Sequence, residues 1–252
     1  GIFMSQNLSI EKIKIFENEF IQFMGIKDFP AYQLTTKEVS LAIADSRGFD
    51  SAASTFYNPK NNIHTLQIST NLILSKYLVF HEFTHILDAD MYANGDSTKY
   101  AGLSGYTEYH ASQIELMQLL GTKTATDKIS FEMNTIISTF SGDKSVAQYI
   151  REKQQHAIQL FSRADFPADI NTLKSAFGVL YNYWGLRSIC KMYASDYVEE
   201  VQNDAFLQFI PTMNFCLMNI MMHGWLDKQN IEKSIPLYIN TLFTLIEKYK
   251  LI

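Results

Sequence analysis

Cysteine is nearly absent: Cys190 and Cys216 are the only two in 252 residues. Two thiols exclude a disulfide framework and a four-cysteine zinc site, and they read most simply as buried, reduced side chains. A basic excess is missing too. Lys and Arg number 21 against 26 Asp and Glu, a formal net charge of -5, so the electrostatic footprint of a nucleic-acid-binding domain is lacking. There are no repeats, no low-complexity tracts and no long charge blocks. There is no long hydrophobic run either. The most apolar stretch, Phe209 to Leu226, is interrupted by Pro211, Asn214, Asn219, His223 and Gly224. It suits a Met-rich buried helix (Met213, Met218, Met221, Met222) better than a lipid-facing span. Gly1 to Gln6 shows no basic region followed by an apolar stretch, so no secretory leader is read there. These absences lead to the expectation of a cytoplasmic protein with neither membrane nor nucleic acid as partner.

What is present is a globular composition, 47% hydrophobic and 19% charged, long enough for a sizeable core. Ile13, Phe16, Phe20 and Phe23 recur at helical spacing, which predicts a helix over 8–24 with Ser9 as its cap. Val39 to Ile43 is a short apolar run. Ala52 to Tyr57 and Ile63 to Ser69 read as strands, joined by the turn formers Asn58-Pro59-Lys60-Asn61-Asn62. The pattern predicts a small, mainly antiparallel sheet. From Thr70 the helical period takes over. One helix is expected over about 72–92, stopped at Asn94-Gly95, then a loop over 96–105 and a second helix over about 106–120. The remainder reads as helices over about 127–140, 145–162, 168–184, 186–208, 212–226 and 230–250, with Pro167, Pro211 and Pro236 near helix starts. The fold class is therefore α+β: a domain over 1–122 that carries the chemistry, then a helical C-terminal lobe over 123–252, with a soft boundary between them.

The chemistry lies in His81-Glu82-Phe83-Thr84-His85. Histidines four apart on a helix share a face, so both imidazoles can reach one metal ion. Glu82, beside the first, can take a proton from water at that ion. Apolar neighbours (Tyr77 to Phe80, Ile86 and Leu87) bury the helix, and buried imidazoles and carboxylates need partners that a metal supplies. A catalytic zinc site needs a third protein ligand and an open position. Glu108 is the first choice, since Ala111 one turn later gives its face a small residue for close helix approach. Glu115, seven residues on, shares that face and is the fallback. His110, about 160° from Glu108 around the helix, is the last. The competing reading of Glu108 is a solvated helix-start glutamate that complements the dipole. Asp88, three residues after His85, is a candidate to orient an imidazole.

This stretch resembles the gluzincin type of zinc metallopeptidase. More narrowly, it resembles the ImmA/IrrE family of phage, mobile-element and stress-response metallopeptidases. The resemblance covers roughly residues 35–120: a strand ending Ile68-Ser69, the apolar helix with Phe80 to His85, and a helix bearing Glu108-x-x-Ala111-Ser112. Thr84 stands where that family usually has Gly, Ser112 where it often has Asn, and Glu115 where a small residue is common. The resemblance implies zinc held by His81, His85 and Glu108, with Glu82 as general base, and a protein or peptide substrate whose bonds are hydrolysed. It also implies an extended substrate paired with the strand before the metal helix, here Ile63 to Ser69. No residue stabilising the oxyanion is identifiable.

Two other classes compete. Glu82-x-x-His85 is also half of a di-iron carboxylate pattern, but no second Glu-x-x-His exists in the sequence. A catalytically inactive, zinc-stabilised regulatory or interaction protein would keep the histidines, yet it would have no need of Glu82.

Overall fold

The structure is a computed structural model that describes residues 2–39, 52–199, 206, 209–210 and 212–252, with the side chains of 2–7 outside the description. The α+β class is what it shows. The helices are α1 (Ile2–Met24), α2 (Lys76–Asp88), α3 (Ser97–Leu119), α4 (Val146–Phe161), α5 (Ile170–Tyr193), α6 (Met213–Met221) and α7 (Lys228–Lys248). The strands are β1 (Tyr32–Lys37), β2 (Ala53–Asn58), β3 (Ile63–Ser69), β4 (Ile136–Thr139) and β5 (Gly142–Ser145). The chain forms two compact units, one of residues 1–97, 114–127 and 139–142, the other of 98–113, 128–138 and 143–252. The chain thus crosses between units several times, and α3 is a continuous helix belonging to both.

The first unit is built on phenylalanine. Phe20 of α1 lies 5.2 Å from Phe80 and 5.4 Å from Phe83, ring centre to ring centre, and Phe29 closes on Phe83 at 5.1 Å. At about 100° per residue, Phe80, Phe83, Thr84 and Leu87 fall on one side of α2 while His81 and His85 fall on the other. Burying each aromatic ring contributes about 1.5–3 kcal/mol, so this face cannot rotate out and the histidines are held on the opposite one. Helix α1 starts at Ile2, earlier than expected, so Ser9 is an interior residue and not its cap. The helix gives way at Gly25, whose φ of +66° suits a residue without Cβ.

The three-stranded sheet has the order β1-β3-β2. β2 and β3 pair antiparallel through the turn read from sequence, with Tyr57 opposite His64. β1, which the hydrophobic pattern does not reveal, adds a parallel pairing to β3 from Tyr32↔His64 to Lys37↔Ser69. Both edges of β3 are therefore occupied, so the expectation that a substrate pairs with Ile63 to Ser69 is corrected: the ladder positions it needs are filled by β1 and β2. The apolar run at 39–43 lies outside the described residues apart from Val39, which is buried.

Helix α2 stops as an α-helix at Asp88 and continues as a π turn, Ala89–Ala93. It ends at Asn94 with φ 42° and Gly95 with φ 86°, the left-handed stop that the sequence announces.

The second unit is helical. The expected loop over 96–105 is helix from Ser97 onward, the first part of α3. Gly102 and Gly105 are not breakers there. A Cβ on Gly102 would sit 2.4 Å from Ile235, and one on Gly105 2.7 Å from Tyr181. Close packing of neighbouring helices on these glycines offsets their intrinsic cost of about 1 kcal/mol each. The two helices expected over 168–184 and 186–208 are one, α5, to Tyr193, and residues 200–205, 207 and 208 of the second lie outside the described residues. The expected helix at 127–140 is an irregular segment leading into the β4-β5 hairpin, where β-branched Thr135, Ile136, Ile137 and Thr139 flank a turn with Gly142 at φ 110°. Pro236 sits inside α7, which begins at Lys228, and not near its start. Asp227 caps this helix through the backbone N–H of Asn230 at 2.8 Å.

Candidate metal centre

His81, His85 and Glu108 each offer a ligand atom, and these atoms all lie within 4.8 Å of one another. This is the one such group of three among the described residues, and it can hold a metal ion. His81 is buried; His85 and Glu108 are half-buried. The two imidazoles stand one turn apart on α2 with ring centres 4.9 Å apart and planes at 76°. Glu108 comes from the middle of α3 and not from a helix start, which removes the reading of a dipole-complementing carboxylate at an N-terminus.

The other two candidates for third ligand go elsewhere. Glu115 is 1% exposed, and its Oε1 lies 2.9 Å from Nδ1 of His81. In that pair His81 donates from Nδ1 to the carboxylate, which leaves Nε2 with its lone pair and fixes the tautomer a metal ligand needs. Glu115 is therefore an orienting carboxylate, corrected from alternative ligand. His110 stacks on Tyr106, ring centres 5.3 Å apart and planes at 19°. Asp88, the candidate to orient an imidazole, is buried at 1% exposure near the end of α2.

Glu82 is half-buried, and its Oε2 accepts a hydrogen bond from Oγ1 of Thr55 at 3.2 Å. Thr55 lies on β2, an edge strand of the sheet. Tyr77, one turn before His81, has its phenol pushed up to about 12 by burial, with the Glu115 carboxylate adding to the rise, so it stays protonated at neutral pH. Its oxygen accepts the backbone N–H of Phe140 at 2.6 Å. Sequence spacing could not reveal Thr55 or the role of Glu115: they stand 27 and 34 residues from the side chains they serve. The only signal for Glu115 was its place on the face of Glu108.

Two imidazole nitrogens and one carboxylate are the donor set of a three-ligand catalytic zinc site, so the residues present fit that ion. No helix among the described residues is long and apolar enough to cross a membrane. No protein-family model, curated protein or solved structure matches the chain.

Proposed function

We propose that the chain is a zinc-dependent endopeptidase of the gluzincin type, similar to the ImmA/IrrE metallopeptidases, with a protein or peptide as substrate. The observation that carries the reading is the convergence of His81, His85 and Glu108 within 4.8 Å. A carboxylate adjacent in sequence to the first histidine accompanies them. Zinc bound by these three would supply a Lewis acid that polarises a carbonyl and makes water acidic near neutral pH.

The side chains divide the remaining work. Glu115 holds the His81 ring through Nδ1, so that Nε2 keeps its lone pair free to bind a metal. Glu82 acts as general base: it takes the proton of the attacking water and returns it to the leaving amine. Thr55 donates to one Glu82 oxygen, which limits the carboxylate's rotation. The unlike environments of the two glutamates, one on an imidazole and one on a hydroxyl, suit them to structural and chemical roles respectively.

The deciding experiment is Glu82→Gln, assayed for metal content by elemental analysis and for cleavage of a denatured protein substrate. A peptidase loses about 10²–10⁴-fold in turnover while keeping one zinc per chain. A zinc-stabilised interaction protein shows no zinc-dependent cleavage in the parent and no change in the variant.

A further inference from the structure

Helix α6, Met213–Met221, contains no charged residue. Phe215 and Met218 turn inward and are fully buried, while Met213, Leu217 and Ile220 stand 74%, 43% and 71% exposed. Spacings of four and three put these three on one face, opposite the buried pair. A surface helix ordinarily carries charged or polar residues on its outward side. This one is apolar on both, a pattern suited to burial from both sides.

The outward stripe borders a groove. Helix α7 follows α6 after a short link and packs against it. Leu217, Ile220 and Met221 line one side of the groove and Lys233, Pro236 and Leu237 the other, around a volume of ≈ 540 Å³. Phe243 is 58% exposed. It lies two turns beyond Pro236 and extends the same face of α7. Lys233 is the one charged group among the groove's lining residues, and the exposed Glu232 beside it balances its sign.

These features select the occupant. A ridge beside a groove on one surface is self-complementary: under a two-fold rotation each copy's ridge can enter the other's groove. A charged partner would find little to pair with here, whereas two neutral faces meet without repulsion. The area also suffices. At roughly 200 Å² for a fully exposed side chain of this size, the exposed parts of Met213, Leu217, Ile220 and Phe243 come to about 500 Å². Two such faces would bury about 1,000 Å² of apolar surface before any polar rim is counted, which is the lower bound for a specific interface.

We propose that α6 and the adjoining face of α7 form a two-fold interface between copies of this chain. Methionine side chains, flexible and polarisable, suit a ridge that must adapt to a groove. The surface uses none of the residues of the metal centre, so the inference stands apart from the peptidase reading.

The whole chain is followed by sedimentation velocity and light scattering from low to high micromolar concentration. Its mass should rise from that of one 28.9 kDa chain toward that of two. Ile220→Glu places a carboxylate on the stripe at a position exposed in the single chain, and a two-fold interface meets it twice. The dissociation constant should rise about a hundredfold or more. Ile73→Glu alters an isoleucine of the other unit that is 74% exposed, and it should dimerise as the parent does. Circular dichroism checks the fold of each variant, and Met213→Glu, at the far end of the stripe, serves if Ile220→Glu does not fold. The proposal is overturned if the parent stays a single chain at every concentration, or if a folded stripe variant dimerises as well as the parent. Equal weakening by Ile73→Glu overturns it, as do assemblies larger than two, since an isologous contact closes at two. A parent that stays single yet takes up the apolar dye bis-ANS, with uptake lost in Ile220→Glu, gives the groove to a foreign apolar partner and overturns the dimer as well.

Discussion

Glu115 and Glu108 are both acids on one face of α3, and their environments separate them. Glu115 is sealed at 1% exposure against Nδ1 of His81, while Glu108 is half-buried with its oxygen among the ligand atoms. Truncating a ligand and truncating its support have different consequences. Glu115→Gln keeps an acceptor but loses the charge that raises imidazole basicity, so zinc affinity should fall about 10–100-fold. Competition with a fluorescent chelator measures this. Glu108→Ala should lose stoichiometric zinc under the same conditions. If Glu115→Gln holds zinc as tightly as the parent, the carboxylate does not orient the ligand.

Among the elements, α5 packs closely against α3 at Gly185. A Cβ there would lie 2.2 Å from the carbonyl oxygen of Tyr109 and 2.9 Å from Cβ of Ser112. The first obstacle is helix backbone, which cannot swing aside as a side chain can. Around it Gln113 donates to Oγ of Ser188 at 2.8 Å, and Ser112 donates to Oδ1 of Asn182 at 2.9 Å, so polar pairs set the register of the two helices. Gly185→Ala should cost at least the ~1–3 kcal/mol typical of overpacking, despite alanine's better helix propensity. A urea titration followed by circular dichroism should show a lower midpoint with a similar slope. An unchanged midpoint would mean that the helices separate easily at this point.

Across the whole molecule, acid should destabilise the fold through the buried His64 and the half-buried His223. Burial lowers the pKa of His223 to about 4, and Arg187 and Lys191 depress it further against the pull of Glu199. Burial also lowers that of His64, whose ring nitrogens have no hydrogen-bond partner among the described residues and whose Nε2 stands 3.7 Å from Asp90. Both groups bind protons more tightly unfolded than folded. Their contribution is complete above the unfolded value near 6.5 and is lost as pH falls from there toward the folded value, about 4 for His223. Urea midpoints measured between these limits should fall with acidification, and His223→Gln should flatten the dependence. Metal acts on the same equilibrium. If zinc binds only the folded chain, chelation should lower the thermal midpoint, by an amount set by the free zinc concentration relative to its dissociation constant. Equal midpoints with and without chelator, in a protein shown to release zinc, would mean that metal binding and folding are uncoupled.

Composition and local periodicity determined a good deal on their own. They marked the α+β class, the β2-β3 pair and its turn, the stop at Asn94-Gly95, and His81, Glu82 and His85 on one helix, because each depends on residues within a few positions of one another. The α1 stripe of Ile13, Phe16, Phe20 and Phe23 was visible as a period, and Phe20 and Phe23 of it pack against Phe80 of α2. The helical reading of 96–105 and the continuity of α5 were not, since Gly102, Gly105 and Gly185 look like breakers until a neighbouring helix explains why they have no Cβ. Nor were β1, the engagement of Glu115 with His81, or the burial of Arg187. Those were decided by contacts between residues far apart in the chain, where hydrogen-bond partners and burial, and not spacing, select the role of each side chain.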